Sequence, residues 1–423
     1  MNNQRTSAVR HDSSADAMHS HASIAAPQRD SSRSPARLEP YSLQVLPKKP
    51  GFSHGVRTTP LLLLITCSNQ EDEVEPIVRA VDVGRGNTKF IAAVSPGDVR
   101  CAMFPSQAHP CETAYEQETW GTKRRTICVP VDDLNYEVGP DAHLASDIFN
   151  ANVLQHDSYS ATPEYLALLL GALHYMRVDR IDLLVLGLPV ATYKLKKQVA
   201  ALERRVTGEH VLAEGKKITV ARVKAIAQPS GALMYCGLTH GRLAQMRKER
   251  NLIIDPGRRT FDWLVTQGMQ QIDKRSHSVP RGMFDVLHSI TEGISRTTGS
   301  HYREYDAIDV ALRTGKKPVI FQKEYDIAQH LPLAQKIPEQ AVAEMLHYVG
   351  DAADINNIIL VGGGAFFYRK ALKTAFPHHE LQELKDPIFA NVKGFQFAGT
   401  ELAKQADASS ARTGGTAPLN MAT

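Results

Sequence analysis

Two carboxylates and a lysine carry most of the chemistry that this chain advertises. Asp82 lies near the end of an apolar, β-branched run over residues 77–83, where a buried strand gains nothing from a charge. Gly84 and Gly86 follow and permit a tight turn with backbone close to a ligand. Lys89 stands seven positions after Asp82, and residues 90–94 resume as a strand. Asp255 repeats the arrangement. It ends the apolar run 252–254 and is followed by Pro256, Gly257, Arg258, Arg259 and Thr260, then by a strand over 261–265 (FDWLV). Backbone N–H groups in such turns cradle phosphate, and an acid at a strand end can hold Mg²⁺ through water. Neither turn is a GxxxxGK[ST] loop opening a helix. Each alone reads equally well as an ordinary hairpin with a surface charge. The duplication is what points to two β-rich domains gripping one polyphosphate between them.

Two further positions join this set. Gln228 falls between the short strand 223–226 and a helix start marked by Pro229 and Ser230, a hinge position that aims its side chain into the cleft. The alternative is a residue that satisfies local backbone at a helix N-terminus. Residues 357–361 form a buried strand that ends in Gly362, Gly363 and Gly364 before a helix through residue 375. Three glycines there let backbone approach a flat ligand, or simply make a strand-to-helix turn.

These residues need a scaffold, and the rest of the chain supplies it. Strands are expected over 77–83, 90–94 and 99–104, with a hairpin from 125–131 and 134–138 turning at Asp132 and Asp133. An amphipathic helix is expected over 163–176, a buried strand over 181–188 ending at Pro189, and a basic helix over 193–206 whose Lys194, Lys196 and Lys197 form a solvated face. A hairpin of 211–214 with 217–223 turns at Gly215, and a helix runs from 232 to about 247. Helical segments follow over 282–298 and 327–349, with a last short helix over 391–404.

The chain has 423 residues and a formal charge of +4, of which residues 1–56 hold +3. The near-neutral remainder argues against direct DNA binding by the folded body. Residues 1–75 are rich in Ser, Ala, Arg, His and Pro without periodicity and read as a disordered extension, as do residues 405–423 as a polar tail. His19 and His21 in that extension read as bystanders rather than metal ligands. Five cysteines without CxxC spacing point to free thiols in a reducing, cytoplasmic setting. The longest apolar run, residues 61–65, is too short to span a bilayer. Because the extension lacks a core-forming pattern, a chain without residues 1–70 is expected to bind nucleotide within about tenfold of the full chain. Comparing the affinities of the two soluble proteins checks this.

In this order, residues 82–89, Gln228, residues 255–260 and residues 360–364 resemble the two phosphate loops, the water-orienting residue and the adenosine motif of the superfamily that unites actin, the heat-shock-70 chaperones and the sugar kinases. The resemblance spans roughly residues 76–404. It implies an α/β fold of duplicated actin-like (ribonuclease H-like) domains with a nucleotide cleft between them. Domain I would cover 76–228, domain II 229–389, and a helix over 390–404 would return to domain I. Within the superfamily the chain looks like the actin-like ATPases of the ParM/StbA plasmid-segregation type. Gly187-Leu188-Pro189-Val190 before a basic helix resembles their GLP segment, and Ala390 to Phe395 resembles their final helix. The VDVGRGNTK and IDPGRRTFDW stretches look like the narrower branch of PRTRC system protein D. Gln228 departs from ParM, which carries Glu near that position.

The resemblance implies ATP and Mg²⁺ as cofactors and ATP hydrolysis as the reaction. Asp82 and Asp255 would hold hydrated Mg²⁺. Gly84, Arg85, Gly86, Asn87, Thr88 and Lys89 would bind the β- and γ-phosphates, Gly257, Arg258, Arg259 and Thr260 would close over the γ-phosphate, and Gly362 to Gly364 would meet the adenosine. Gln228 would orient the attacking water. Filaments of the chain itself and a DNA-bound adaptor protein are the implied partners. Two other classes stay open: a nucleotide-sensing module that does not polymerise, and a small-molecule kinase. A kinase would need an acidic base where Gly-Leu-Pro-Val stands.

Overall fold

A computed structural model describes residues 75–111, 124–145 and 158–413, with side chains to residue 406. The expected extension, with His19, His21 and residues 61–65, lies outside the described residues apart from Glu75. In the first half, β1 (Val78–Val83), β2 (Asn87–Ser95) and β3 (Asp98–Pro105) form an antiparallel meander, with Asp82 opposite Lys89. The expected hairpin forms from Ile127–Val131 and Leu134–Val138, turning at Asp132, and a third short strand, His109–Cys111, joins it.

Helix α1 (Pro163–Met176) starts as its residues dictate. Thr162 accepts the Tyr165 N–H at 3.2 Å, Pro163 fixes the first turn, and Arg177 closes the other end in the left-handed region. It is not amphipathic as expected. All residues from Tyr165 through Leu173 are buried, because the helix is packed between the main sheet and the small one.

The run expected as one strand over 181–188 is interrupted at Asp182, whose carboxylate accepts the Ile77 N–H at 2.8 Å. Arg180–Ile181 therefore pairs with Lys217–Val220, and β4 (Leu183–Leu188) pairs parallel to β1. The basic helix begins early and breaks at Leu195, whose ψ of 75° is not helical, giving α2 (Val190–Lys194) and α3 (Lys196–Val206). Lys194 is not on a solvated face. Its ammonium reaches the carbonyls of Asp273 and Ser276 at 2.6 and 2.5 Å. β5 (Val223–Ala227) completes a sheet ordered β5-β4-β1-β2-β3. Helix α4 (Gln228–Thr239) starts at Gln228 itself, with Pro229 in its first turn, and a separate short helix follows at Leu243–Met246.

The second half repeats this path. β6 (Arg250–Pro256) and β7 (Phe261–Gln267) are antiparallel, with Asp255 opposite Asp262, and β8 (His277–Val279) adds to β7. Helices α5 (Met283–Thr298) and α6 (Tyr305–Thr314) follow; α6 carries an apolar stripe that the sequence reading passed over. β9 (Asn357–Leu360) pairs parallel to β6, then come α7 (Ala365–Ala375) and β10 (Leu381–Glu383), parallel to β9. The order β10-β9-β6-β7 matches β5-β4-β1-β2 strand for strand. Both strand-end acids thus lie on a strand flanked by one parallel and one antiparallel neighbour.

The last helix, α8 (Ala390–Thr413), runs nine residues past its expected end. Its Val392 and Phe395 are buried with Val78, Ala80, Ile91 and Val185 of the first sheet. It touches α4 backbone to backbone. A Cβ on Gly394 would lie 1.8 Å from the Gly231 carbonyl oxygen, so only glycine permits the approach. Among the described residues no helix is long and apolar enough to cross a membrane.

Candidate functional site

The ends of β1 and β6 open onto one cleft of about 1100 Å³, including space open to solvent. On the first side both oxygens of Asp82 are engaged. Oδ2 accepts from the Lys89 ammonium at 2.9 Å and Oδ1 from the Gln228 amide at 2.6 Å. Asp82 is 1 % exposed, so these two donors replace the water it has lost. Burial alone would lower the Lys89 ammonium, but Asp82, and Asp255 across the cleft, raise it above its ordinary value. Lys89 therefore stays charged at neutral pH.

On the second side Asp255 has less help. Asn391, at the start of α8, donates its amide to Asp255 Oδ2 at 2.6 Å. Burial, and then the neighbouring Asp262, push the Asp255 carboxyl up to about 7; Lys89 and Asn391 pull the other way. Asp262 is itself raised, first by burial. The glycines are used sterically. Gly362 has φ +82°, and a Cβ there would stand 2.1 Å from Asp255 Oδ1. A Cβ on Gly86 would stand 2.9 Å from the Arg258 Cβ, so the two phosphate-type turns approach each other across the cleft.

Of the residues expected here, Asp82, Gly84, Arg85, Gly86, Asn87, Lys89, Gln228, Asp255, Gly257, Arg258, Arg259, Thr260, Gly362, Gly363 and Gly364 all line the cleft. Thr88 is the exception. Its side chain is fully buried on the other face of β2, where its hydroxyl meets Ser106 at 2.9 Å, and Ser106 in turn donates to the Gly84 carbonyl at 2.5 Å. Alternation along a strand puts Thr88 and Lys89 on opposite faces, so Thr88 braces the turn from behind. Arg258 pairs with Asp306 at 3.3 Å and Arg259 with Asp285 at 3.6 Å.

The sequence reading missed Asp262, Asn391, Asp309 and Arg313, all of which line the cleft. Asp262 was within reach: it follows Asp255 by seven residues, as Lys89 follows Asp82. Asp309 and Arg313 sit on α6, with Arg313 donating to Asp309 at 2.8 Å and to the Gly363 carbonyl at 2.9 Å, its guanidinium 4.6 Å from the centre of the Phe366 ring. Asp309 Oδ1 is buried and has no hydrogen-bond partner among the described residues.

The donor set fits a hydrated divalent cation. Among the described residues no three His, Cys, Asp or Glu side chains are arranged to hold a metal alone. Asp82 and Asp255 offer hard carboxylate oxygens from opposite walls, the arrangement in which Mg²⁺ keeps its waters and takes phosphate oxygens as further ligands.

The raised Asp255 carboxyl has a measurable cost in the nucleotide-free chain. With a folded value near 7 against 3.8 unfolded, the folded state keeps a proton that the unfolded state has lost. Stability from this group is therefore full below about pH 4, falls as pH rises through the window up to 7, and stays low above it. Asp255→Asn, which keeps the shape and removes the charge, is expected to stabilise the nucleotide-free protein at pH 8 by about 2–4 kcal/mol, with the gain shrinking toward pH 4. Denaturant unfolding of both proteins at the two pH values checks the sign and the window.

Comparison with known proteins accords with this geometry. Residues 80–231 match the model for the N-terminal domain of actin-like proteins, and residues 253–374 match the C-terminal domain of archaeal MreB-like actin homologues. The chain is similar to Ta0583, an archaeal actin homologue, at 25% identity and a TM-score of 0.62, over 77% of this chain and 99% of that one. It is similar to the ADP complex of Ta0583 at 23% identity and a TM-score of 0.60, over 77% and 99%. It is similar in fold to a chain of a 15-stranded ParM filament from Clostridium botulinum at 18% identity and a TM-score of 0.62, over 78% and 99%. No curated protein matches the sequence. With a duplicated α/β fold, a cleft between the repeated strand-end acids, and family matches to both halves, the chain belongs to the actin-like proteins.

Proposed function

We propose that this protein binds ATP with Mg²⁺ in the cleft, hydrolyses it, and assembles with further copies of itself into filaments that partition plasmid DNA in the cytoplasm. The observation that carries the reading is the facing pair of acids, each at the end of a strand before a glycine turn, with Lys89 and Gln228 already turned onto one of them. Phosphoryl transfer to water asks a protein for positioning and charge neutralisation rather than covalent chemistry. In this reading Asp82 and Asp255 hold the hydrated cation, which neutralises phosphate charge. The N–H groups of Gly84 to Thr88, with the Lys89 ammonium, grip the β- and γ-phosphates. Gly257 to Thr260 close over the γ-phosphate, and Gly362 to Gly364 take the adenosine. Gln228 orients the attacking water.

Filament assembly is supported by the fold shared with a ParM that forms filaments. A DNA-bound adaptor protein would carry the plasmid, since the body is too nearly neutral to do so itself. In this reading the domain boundary falls at residues 228–229 and the chain is of the PRTRC type. The deciding experiment is ATP-dependent pelleting alongside phosphate release measured without an acceptor. Phosphate release with ATP-dependent pelleting supports the reading. Binding without pelleting leaves a nucleotide sensor, and release that requires an added acceptor leaves a kinase.

A further inference from the structure

The Gly187 to Val190 segment has no part in the reaction as proposed, yet it is tied to the acid row of the second sheet. Asp255, Asp262 and Ser278 stand side by side across β6, β7 and β8. The row ends on backbone from the first half of the chain. The Val190 N–H donates to Asp262 Oδ1 at 2.9 Å, the Ser278 hydroxyl donates to the same oxygen, and the Ala191 N–H donates to the Ser278 hydroxyl oxygen at 3.0 Å. Asp262 is the second residue of β7, two positions after Thr260, so it stands at the foot of the second phosphate-type turn. At the other end of α2, Lys194 holds the carbonyls of Asp273 and Ser276.

Asp262 is 2 % exposed, and its hydrogen-bond partners are neutral donors. A carboxyl in such a place is unfavourable unless its donors are held in position, and one donor opens α2 after the first sheet while the other sits on β8 of the second. We propose that Asp262 and Ser278 are positioning residues that clamp the start of α2 to the second phosphate-type turn. Thr260 and the Gly187 to Val190 turn then keep one geometry when nucleotide enters, and hydrolysis draws on that geometry more than ground-state binding does.

The kinetic part rests on the proposed ATP hydrolysis; the geometric part does not, and the test separates them. In the full chain, hydrogen exchange at Val190 and Ala191 is measured without nucleotide for wild type, Ser278→Ala and Ser278→Thr. ATP affinity and phosphate release are then measured on the same proteins. Ser278→Ala is expected to speed exchange of the Ala191 amide about tenfold or more, since it removes that donor's partner. Phosphate release should fall about tenfold while ATP affinity stays within about threefold, and Ser278→Thr, which keeps the hydroxyl, should restore both exchange and rate. Unchanged exchange in Ser278→Ala overturns the clamp. So does a parallel loss of affinity and rate, or a folded Ser278→Thr that restores neither. If wild type releases no phosphate, the hydrolysis reading fails, and the exchange measurement alone decides the clamp. Asp262→Asn is the second variant: it should also speed exchange at Val190, and a folded protein with wild-type exchange there overturns the proposal.

Discussion

Asp255→Ala is expected to lower phosphate release at saturating ATP by about a hundredfold or more, the scale on which a positioned electrostatic group acts. On its side of the cleft the residue has no cationic side chain against it among the described hydrogen bonds. Asp82 has Lys89 and Gln228 against it, whereas among the described residues the one side-chain donor to Asp255 is the neutral Asn391 amide. Burial, and then Asp262, push the Asp255 carboxyl up to about 7, and in the proposed mechanism a bound cation would favour its charged form. Removing it also leaves Asn391 unpartnered, so the variant must be shown folded by circular dichroism and thermal unfolding. Asp255→Asn is the companion: it keeps the Asn391 contact, stabilises the empty chain, and should lose release to a similar degree. Turnover near wild type in a folded Asp255→Ala would remove Asp255 from the site. The two measurements on Asp255→Asn pull in opposite directions, stability up and turnover down, which a merely structural acid would not do.

Much of this cleft was legible because the signals that reveal it are local. An acid at the end of an apolar run is out of place in a buried strand, and at Asp82 and Asp255 this is visible without any tertiary knowledge. The repeat of acid, glycine turn and strand fixed the duplication, which the matched sheet orders bear out. What was not legible depends on partners distant in sequence. Asp182 breaks the strand expected over 181–188 because of the Ile77 N–H, more than a hundred residues away. Lys194 reads as solvated until the carbonyls of Asp273 and Ser276 are placed beside it. Asn391 lies in an unremarkable helix start and becomes a site residue only when α8 folds back. Thr88 joins the first loop through its backbone N–H in the resemblance, and only the structure shows that strand alternation sends its side chain to the opposite face, onto Ser106.

Gln228→Ala is expected to slow phosphate release by about ten- to a thousandfold while ATP affinity changes little. The residue opens α4 at the point where β5 leaves the first sheet, and its half-buried side chain lies along Gly187, which has no side chain to displace it. Its amide nitrogen is spent on Asp82 at 2.6 Å. In the proposed mechanism the carbonyl oxygen would accept from a water, which it can orient but cannot deprotonate, since an amide is no base at neutral pH. A glutamate in this place would set a second carboxylate against Asp82, so the amide is the group that can serve both the acid and the water at once. Such a residue acts on the transition state and not on the bound ground state. With ATP uncleaved for longer, filaments of the variant should outlast those of wild type. Binding, phosphate release and filament lifetime measured on one preparation test the three parts together. If affinity falls as far as the rate does, the Gln228 amide serves Asp82 alone, and the water must be oriented by another group in the cleft.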